Sequence, residues 1–73
     1  MIPVINITLT GLRIKELMKQ RGLSVKDVQI KLGLACPQGI YKWLDGRTLP
    51  SLDNLVLLAS IFDVRIDDIL VVE

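Results

Sequence analysis

Residues 24–46 read SVKDVQIKLGLACPQGIYKWLDG, and the rest of the chain is arranged around them. The stretch describes two short helices joined by a tight turn. Ser24 is placed to cap the first helix, its hydroxyl taking up an orphan N–H of the opening turn. Asp27, three residues on, is a shortened form of the capping-box acid, and its charge suits the positive end of a helix. Val25, Val28 and Leu32 recur at helical spacing and give one buried stripe. Gly33 stands where a residue with positive φ lets a helix stop and turn. After Leu34-Ala35-Cys36, Pro37 suits the first position of the second helix, where its missing N–H costs nothing. Ile40, Trp43 and Leu44 form that helix's inner stripe, with Trp43 a core residue, and Gly46 ends it.

The opposite face of the second helix carries Pro37, Gln38, Tyr41, Lys42 and Asp45, which share one side by helical spacing. It offers an amide able to bond a base edge, a cation suited to phosphate or guanine, and an aromatic ring. A helix face that merely meets solvent would look similar, so this pattern alone assigns no function.

Outward from the motif, a helix is expected over about 11–21, with Thr10 as its cap and Gly22 as its stop. Leu12, Ile14, Leu17 and Met18 should face the core, and Lys15, Lys19 and Arg21 the solvent. A fourth helix is expected over about 52–62, capped by Ser51 with Asp53 in its first turn, and a short fifth over about 66–70. Helix 4 carries more apolar residues than one core stripe requires, so Val56 or Leu57 is left over for a partner. Residues 2–9 alternate, with Ile5, Ile7 and Leu9 on one side and Asn6 and Thr8 on the other, which is a half-buried strand pattern with Pro3 suggesting an edge. The apolar C-terminus, Ile69 to Val72, should pair with it as a small antiparallel ribbon. Two uses of such a ribbon fit equally: capping the core, or pairing across a two-fold axis to form a dimer.

The 73 residues make one small domain with limited surface to bury, so its helices must pack efficiently. Hydrophobic residues reach 51%, yet no apolar run approaches the roughly 18 residues of a membrane span. The N-terminus MIPVINITLT has neither the basic flank nor the cleavage pattern of a signal peptide. The single cysteine, Cys36, forms no internal disulfide, which fits a reducing cytoplasm. It reads first as a turn or capping residue, with a redox-sensing thiol as the lesser alternative. Net charge is only +1, but it is unevenly spread. Residues 1–47 hold eight Lys/Arg against three Asp/Glu, and residues 48–73 hold Arg65 alone against five acids. A basic front and an acidic back would orient the domain on a phosphate surface; chance segregation in a short chain is the plainer account.

The residues L23-S24, L32-G33, I40, W43 and G46, continuing through P50-S51-L52, L55, A59, F62-D63-V64 and I69-L70, resemble the DNA-binding domain of the phage repressor and Cro family, the XRE-type regulators. The resemblance spans about residues 12–70 and holds in five consecutive elements. It implies an all-α, five-helix repressor-like domain with a helix-turn-helix motif at 24–45, preceded by an N-terminal strand or arm at 1–9. It also implies that the second motif helix enters the major groove of double-stranded DNA. Gln38, Tyr41 and Lys42 are then the expected base readers, since Gln can bond adenine in bidentate fashion and Lys can reach guanine. Ser24, Lys26, Arg47, Thr48 and Asn54 are the expected phosphate-binding residues.

The chain departs from the family pattern in several places. Leu34-Ala35-Cys36 carries one residue more than the family usually has between the turn glycine and the recognition helix. Gln29 stands where the family favours a small residue, and the longer turn is what makes room for it. Val25 replaces a frequent phosphate-binding Gln, and Pro37 brings no donor to the first reading position. Met18 and Leu44 take the places of an Arg–Glu pair common in the family, retaining a contact with apolar chemistry.

The expected function is a sequence-specific DNA-binding transcriptional regulator, a repressor working as a homodimer on two half-sites about 34 Å apart. With no second domain to sense a ligand, its signal would come from a partner, proteolysis or concentration. The alternative is an antitoxin-like or other protein-interaction module on the same fold, using the apolar part of helix 4 or the strand edge. No enzyme is expected: there is no histidine, no metal-ligand cluster, no Gly-rich phosphate loop, and no catalytic residue or cofactor is assigned.

Overall fold

The computed structural model describes residues 3–73. Five α-helices follow one another: α1 (Ile7–Gln20), α2 (Val25–Leu32), α3 (Gln38–Leu44), α4 (Leu52–Phe62) and α5 (Ile66–Ile69). Every helix sends side chains into one core. α1 supplies Ile14, Leu17 and Met18, α2 Val28, α3 Ile40 and Trp43, α4 Leu55, Leu58 and Phe62, and α5 Ile69. Full burial of each such side chain contributes about 1.5–3 kcal/mol, which matters in a domain with so little interior. α2 and α3 form the expected motif, braced from one side by α1 and from the other by α4.

The first four helices end in the same hydrogen-bonded stop. After α2, Gly33 adopts φ 69, its N–H donates to the Ile30 carbonyl at 3.1 Å, and the Leu34 N–H reaches back to the Gln29 carbonyl at 3.0 Å. The pair recurs with Gly22 and Leu23 after α1, Gly46 and Arg47 after α3, and Asp63 and Val64 after α4. Each stop satisfies carbonyls that a helix end otherwise orphans. Asp63 does this at φ 56, tolerated because a short polar side chain can occupy the left-handed region. Beyond the turning residue, Leu23, Leu34 and Val64 pack onto the core. At the α3 stop the same position is Arg47, which is exposed. Gly46 lies so close to α1 that a Cβ there would stand 2.9 Å from the Thr8 Cα, so α3 ends hard against the first turn of α1.

The N-terminal segment differs from the strand reading. α1 begins at Ile7, four residues earlier than expected, and its cap is Asn6, whose Oδ1 accepts the Leu9 N–H at 2.9 Å. Thr10 is not a cap: it is buried within the helix, and its Oγ1 accepts the Val71 N–H at 3.0 Å. Among the described residues the expected β-ribbon does not form. There the termini meet at an isolated antiparallel bridge, Ile5 with Val72, flanked by Asn6 N–H to Val71 at 2.8 Å and Glu73 N–H to Val4 at 2.8 Å. The helix claims residues 7–9, leaving too little chain to extend the pairing into strands; Ile2 of the expected strand lies outside the described residues.

Leu12 is 51% exposed rather than in the core. It sits about 200° around the helix from Ile14, off the buried stripe of Thr10, Ile14, Leu17 and Met18. Arg21 is exposed as expected, and its Nε also donates to the Phe62 carbonyl at 2.8 Å, as Arg13 Nε does to the Asp68 carbonyl at 2.8 Å. Both guanidinium groups sit at the C-terminal ends of α4 and α5, where the helix dipole favours a cation. α4 leaves Leu52 78% and Val56 57% exposed, with Leu57 beside them. Among the described residues no helix is long and apolar enough to cross a membrane.

Candidate nucleic-acid interface

With seven residues, α3 is too short to hold its shape alone, so its direction depends on its anchors. Ile40 is fully buried and Trp43 is 6% exposed, which ties the inner face to the core. The i, i+3, i+4, i+7 spacing then carries Gln38, Tyr41, Lys42 and Asp45 to the outside together. All four are exposed, Tyr41 by 50%. Among the described residues Lys42 has no salt-bridge partner, so its ammonium is available on that face. Pro37 sits one place earlier than expected, at the N-cap rather than the first helical position, and gives no side-chain cap.

Arg47 leaves the end of α3 with its Nη2 2.6 Å from Asp45 Oδ2. Both side chains are largely exposed, and such a surface pair contributes at most about 1 kcal/mol to stability. Its effect is to hold the guanidinium beside the Gln38–Tyr41–Lys42 face. Thr48 follows, exposed and, among the described residues, with no side-chain hydrogen bond. Lys26 projects from the first turn of α2.

The other two expected phosphate ligands, Ser24 and Asn54, stand at helix starts whose cap bonds use the Ser24 hydroxyl and the Asn54 backbone N–H. Ser24 Oγ accepts the Asp27 N–H at 3.1 Å, and Asp27 Oδ2 accepts the Ser24 N–H at 2.9 Å, a complete capping box. The Ser24 backbone N–H, then its hydroxyl, hold the Asp27 carboxyl below the ordinary carboxylate range. An anion approaching Ser24 therefore meets a carboxylate. At α4 the Asn54 N–H donates to Ser51 Oγ at 3.2 Å, and Asp53 stands next to it. The geometry groups Gln38, Tyr41, Lys42 and Arg47; it leaves Ser24 and Asn54 at capped, acidic helix starts.

Sequence reasoning assigned no bond to Gln29. Its side-chain Nε2 donates to the Leu34 carbonyl at 3.3 Å, inside the lengthened turn. The signal was its size at a position where a small residue is favoured. Met18 and Leu44, the apolar stand-ins for an ion pair, line a groove of about 660 Å³ between α1, α2 and α3, along with Leu12, Lys15, Lys19 and Val25. Cys36 is a free thiol, exposed in the turn.

Comparison with known proteins agrees with this arrangement. The Helix-turn-helix family HTH_3 matches residues 14–69. The restriction-modification controller protein C.AhdI from Aeromonas hydrophila superposes with a TM-score of 0.77 at 25% identity, covering 86% of this chain and 94% of that one. The DNA-binding domain of BldD superposes with a TM-score of 0.74 at 19% identity, covering 90% of this chain and 94% of that one, a likeness of fold alone. No curated protein matches the sequence significantly. Matched by the family over most of its length, with the recognition helix anchored by Ile40 and Trp43, the chain belongs to the XRE/Cro-like helix-turn-helix family of DNA-binding transcription regulators.

Proposed function

We propose that the chain is a cytoplasmic repressor that binds double-stranded DNA as a homodimer, with α3 in the major groove. The observation that carries this reading is the two-sidedness of α3. Ile40 and Trp43 fix it to the core, while Gln38, Tyr41 and Lys42 stand outward beside Arg47. Gln38 and Lys42 supply the donors that read adenine and guanine edges, Tyr41 meets a thymine methyl or a phosphate, and Arg47, Lys26 and Thr48 hold the backbone. The likeness to a restriction-modification controller protein supports a regulatory role of this kind. A second copy would cover the apolar face of α4, where Leu52, Val56 and Leu57 stand exposed.

The same α4 face favours one second reading, an antitoxin-like module whose partner is a different protein. Selection from a randomised duplex pool at two salt concentrations separates the two. A palindromic motif with half-sites one helical turn apart is the expected result. Recovery of no motif, with only weak binding lost steeply as salt rises, would overturn the base-reading role and turn attention to a protein partner.

A further inference from the structure

The α2–α3 turn has one residue more than this family usually carries, yet α3 still lies with its apolar side on the core. Between Gly33 and the first residue of α3, Ala35 and Cys36 are exposed and make no hydrogen bond among the described residues. Pro37 has no N–H to give and no side-chain cap to offer. The one firm point in this segment is Leu34, and Gln29 grips it from both sides. The Gln29 carbonyl accepts the Leu34 N–H at 3.0 Å, and the Gln29 Nε2 donates to the Leu34 carbonyl at 3.3 Å. The Leu34 side chain packs against the core, so both peptide groups flanking this residue and its side chain are held at once.

We propose that Gln29 is a positioning residue for DNA recognition. Through Leu34 it fixes where the lengthened turn delivers α3, and so sets how Gln38, Tyr41 and Lys42 meet the base edges. The inference rests on the reading of α3 as the recognition helix and deepens it. The two bonds have different consequences. The backbone bond ends α2 and forms with any residue at this position. The side-chain bond is peculiar to Gln29 and acts only on the turn. Half-buried and directed at a carbonyl, the amide fits a clamp and not a reader of DNA. Alanine, the best helix former, would leave α2 intact and release the turn.

The test uses the full chain with Gln29→Ala and Gln29→Met, the second keeping the length of the side chain without its donor. The first arm needs no DNA: amide hydrogen exchange and backbone relaxation are recorded for the segment from Leu34 to Tyr41 and for α1 and α4. Both variants should quicken motion and exchange from Leu34 to Tyr41 and leave α1 and α4 as they are. Unchanged behaviour of that segment overturns the clamp. The second arm measures affinity for the selected motif against unrelated duplex. Loss of one net hydrogen bond predicts a fall of about three- to tenfold for the motif, with unrelated duplex bound as before. A purely structural role would instead lower thermal stability and leave that ratio unchanged, which overturns the positioning role. If the parent chain selects no motif, the DNA-reading assignment itself fails and the positioning role with it, while the first arm still decides the clamp.

Discussion

Gly11 of α1 lies directly against the Trp43 carbonyl oxygen of α3, so close that a methyl group on Gly11 would collide with it, and that methyl would also stand 3.1 Å from the Leu44 carbonyl. The contact is backbone on backbone, with no flexible side chain to give way. α1 and α3 are therefore spaced by the absence of a side chain at one position. Gly11→Ala should force the helices apart and cost about 1–3 kcal/mol, lowering the unfolding midpoint by several degrees. Gly39, inside α3, has nothing within 4 Å of an added Cβ, so Gly39→Ala should be neutral or stabilising by up to about 1 kcal/mol. The unfolding midpoint should fall for Gly11→Ala and hold or rise for Gly39→Ala; an unchanged midpoint for Gly11→Ala would show that the α1–α3 spacing is not set at Gly11.

The Asp27 carboxyl is held below its ordinary value chiefly by the Ser24 N–H, then by the Ser24 hydroxyl, with Lys31 assisting. A depressed folded value means that the stabilising contribution is complete above the unfolded aspartate value, near 3.9, and disappears as the pH falls through the lower folded value. Ser24→Ala should remove part of the depression, raising the Asp27 pKa in a carboxyl carbon NMR titration. It should also cost about 1 kcal/mol at neutral pH through the lost cap. An unmoved titration curve would show that the capping box does not govern this group.

Arg47→Ala should weaken binding to every duplex alike and reduce the slope of log affinity against log salt by about 0.9. Arg47→Lys keeps the charge and should keep the slope. Because Asp45 shares the guanidinium at 2.6 Å, Asp45→Asn should tighten binding without altering sequence preference. A change of selected motif in any of these three variants would place Arg47 among the base readers instead.

Gln38→Ala should have the opposite signature. Discrimination at one base step should fall by about 1–3 kcal/mol, while the salt slope stays where it was. Selection and sequencing with the variant checks this directly, and an unchanged sequence profile would remove Gln38 from the reading set.

The helices that announce themselves locally were readable from sequence. α4 runs from Leu52 to Phe62 as expected, the Ser24–Asp27 box is formed, and Gly22, Gly33 and Gly46 all turn at positive φ. The start of α1 was not readable, because two periods overlap there. Ile5, Ile7 and Leu9 alternate like a strand, while Asn6 and Thr10 stand one helical turn apart. The contest is settled far along the chain, where Val71 donates to the buried Thr10 hydroxyl and α3 closes over Gly11. The carbonyl bonds of Arg13 and Arg21 were not legible for the same reason, since their partners lie 55 and 41 residues away. The outward face of α3 was legible from spacing alone. The capped, acidic starts at Ser24 and Ser51 were legible as well, whereas the bond of the Gln29 amide to the Leu34 carbonyl was not, because it depends on how the turn after Gly33 folds back.

The repeated stop after α1, α2, α3 and α4 bears on the heat and entropy of binding. Each joint already closes on itself through two backbone hydrogen bonds, so docking finds few backbone torsions left to freeze. Among the described residues, what remains includes the short runs Ala35–Cys36 and Leu49–Pro50 together with the long side chains at the surface. The heat capacity change on association should then follow the apolar area the two rigid surfaces cover, without the larger signature of a segment that folds as it binds. Affinity in such a domain is governed by the fit of a preformed shape.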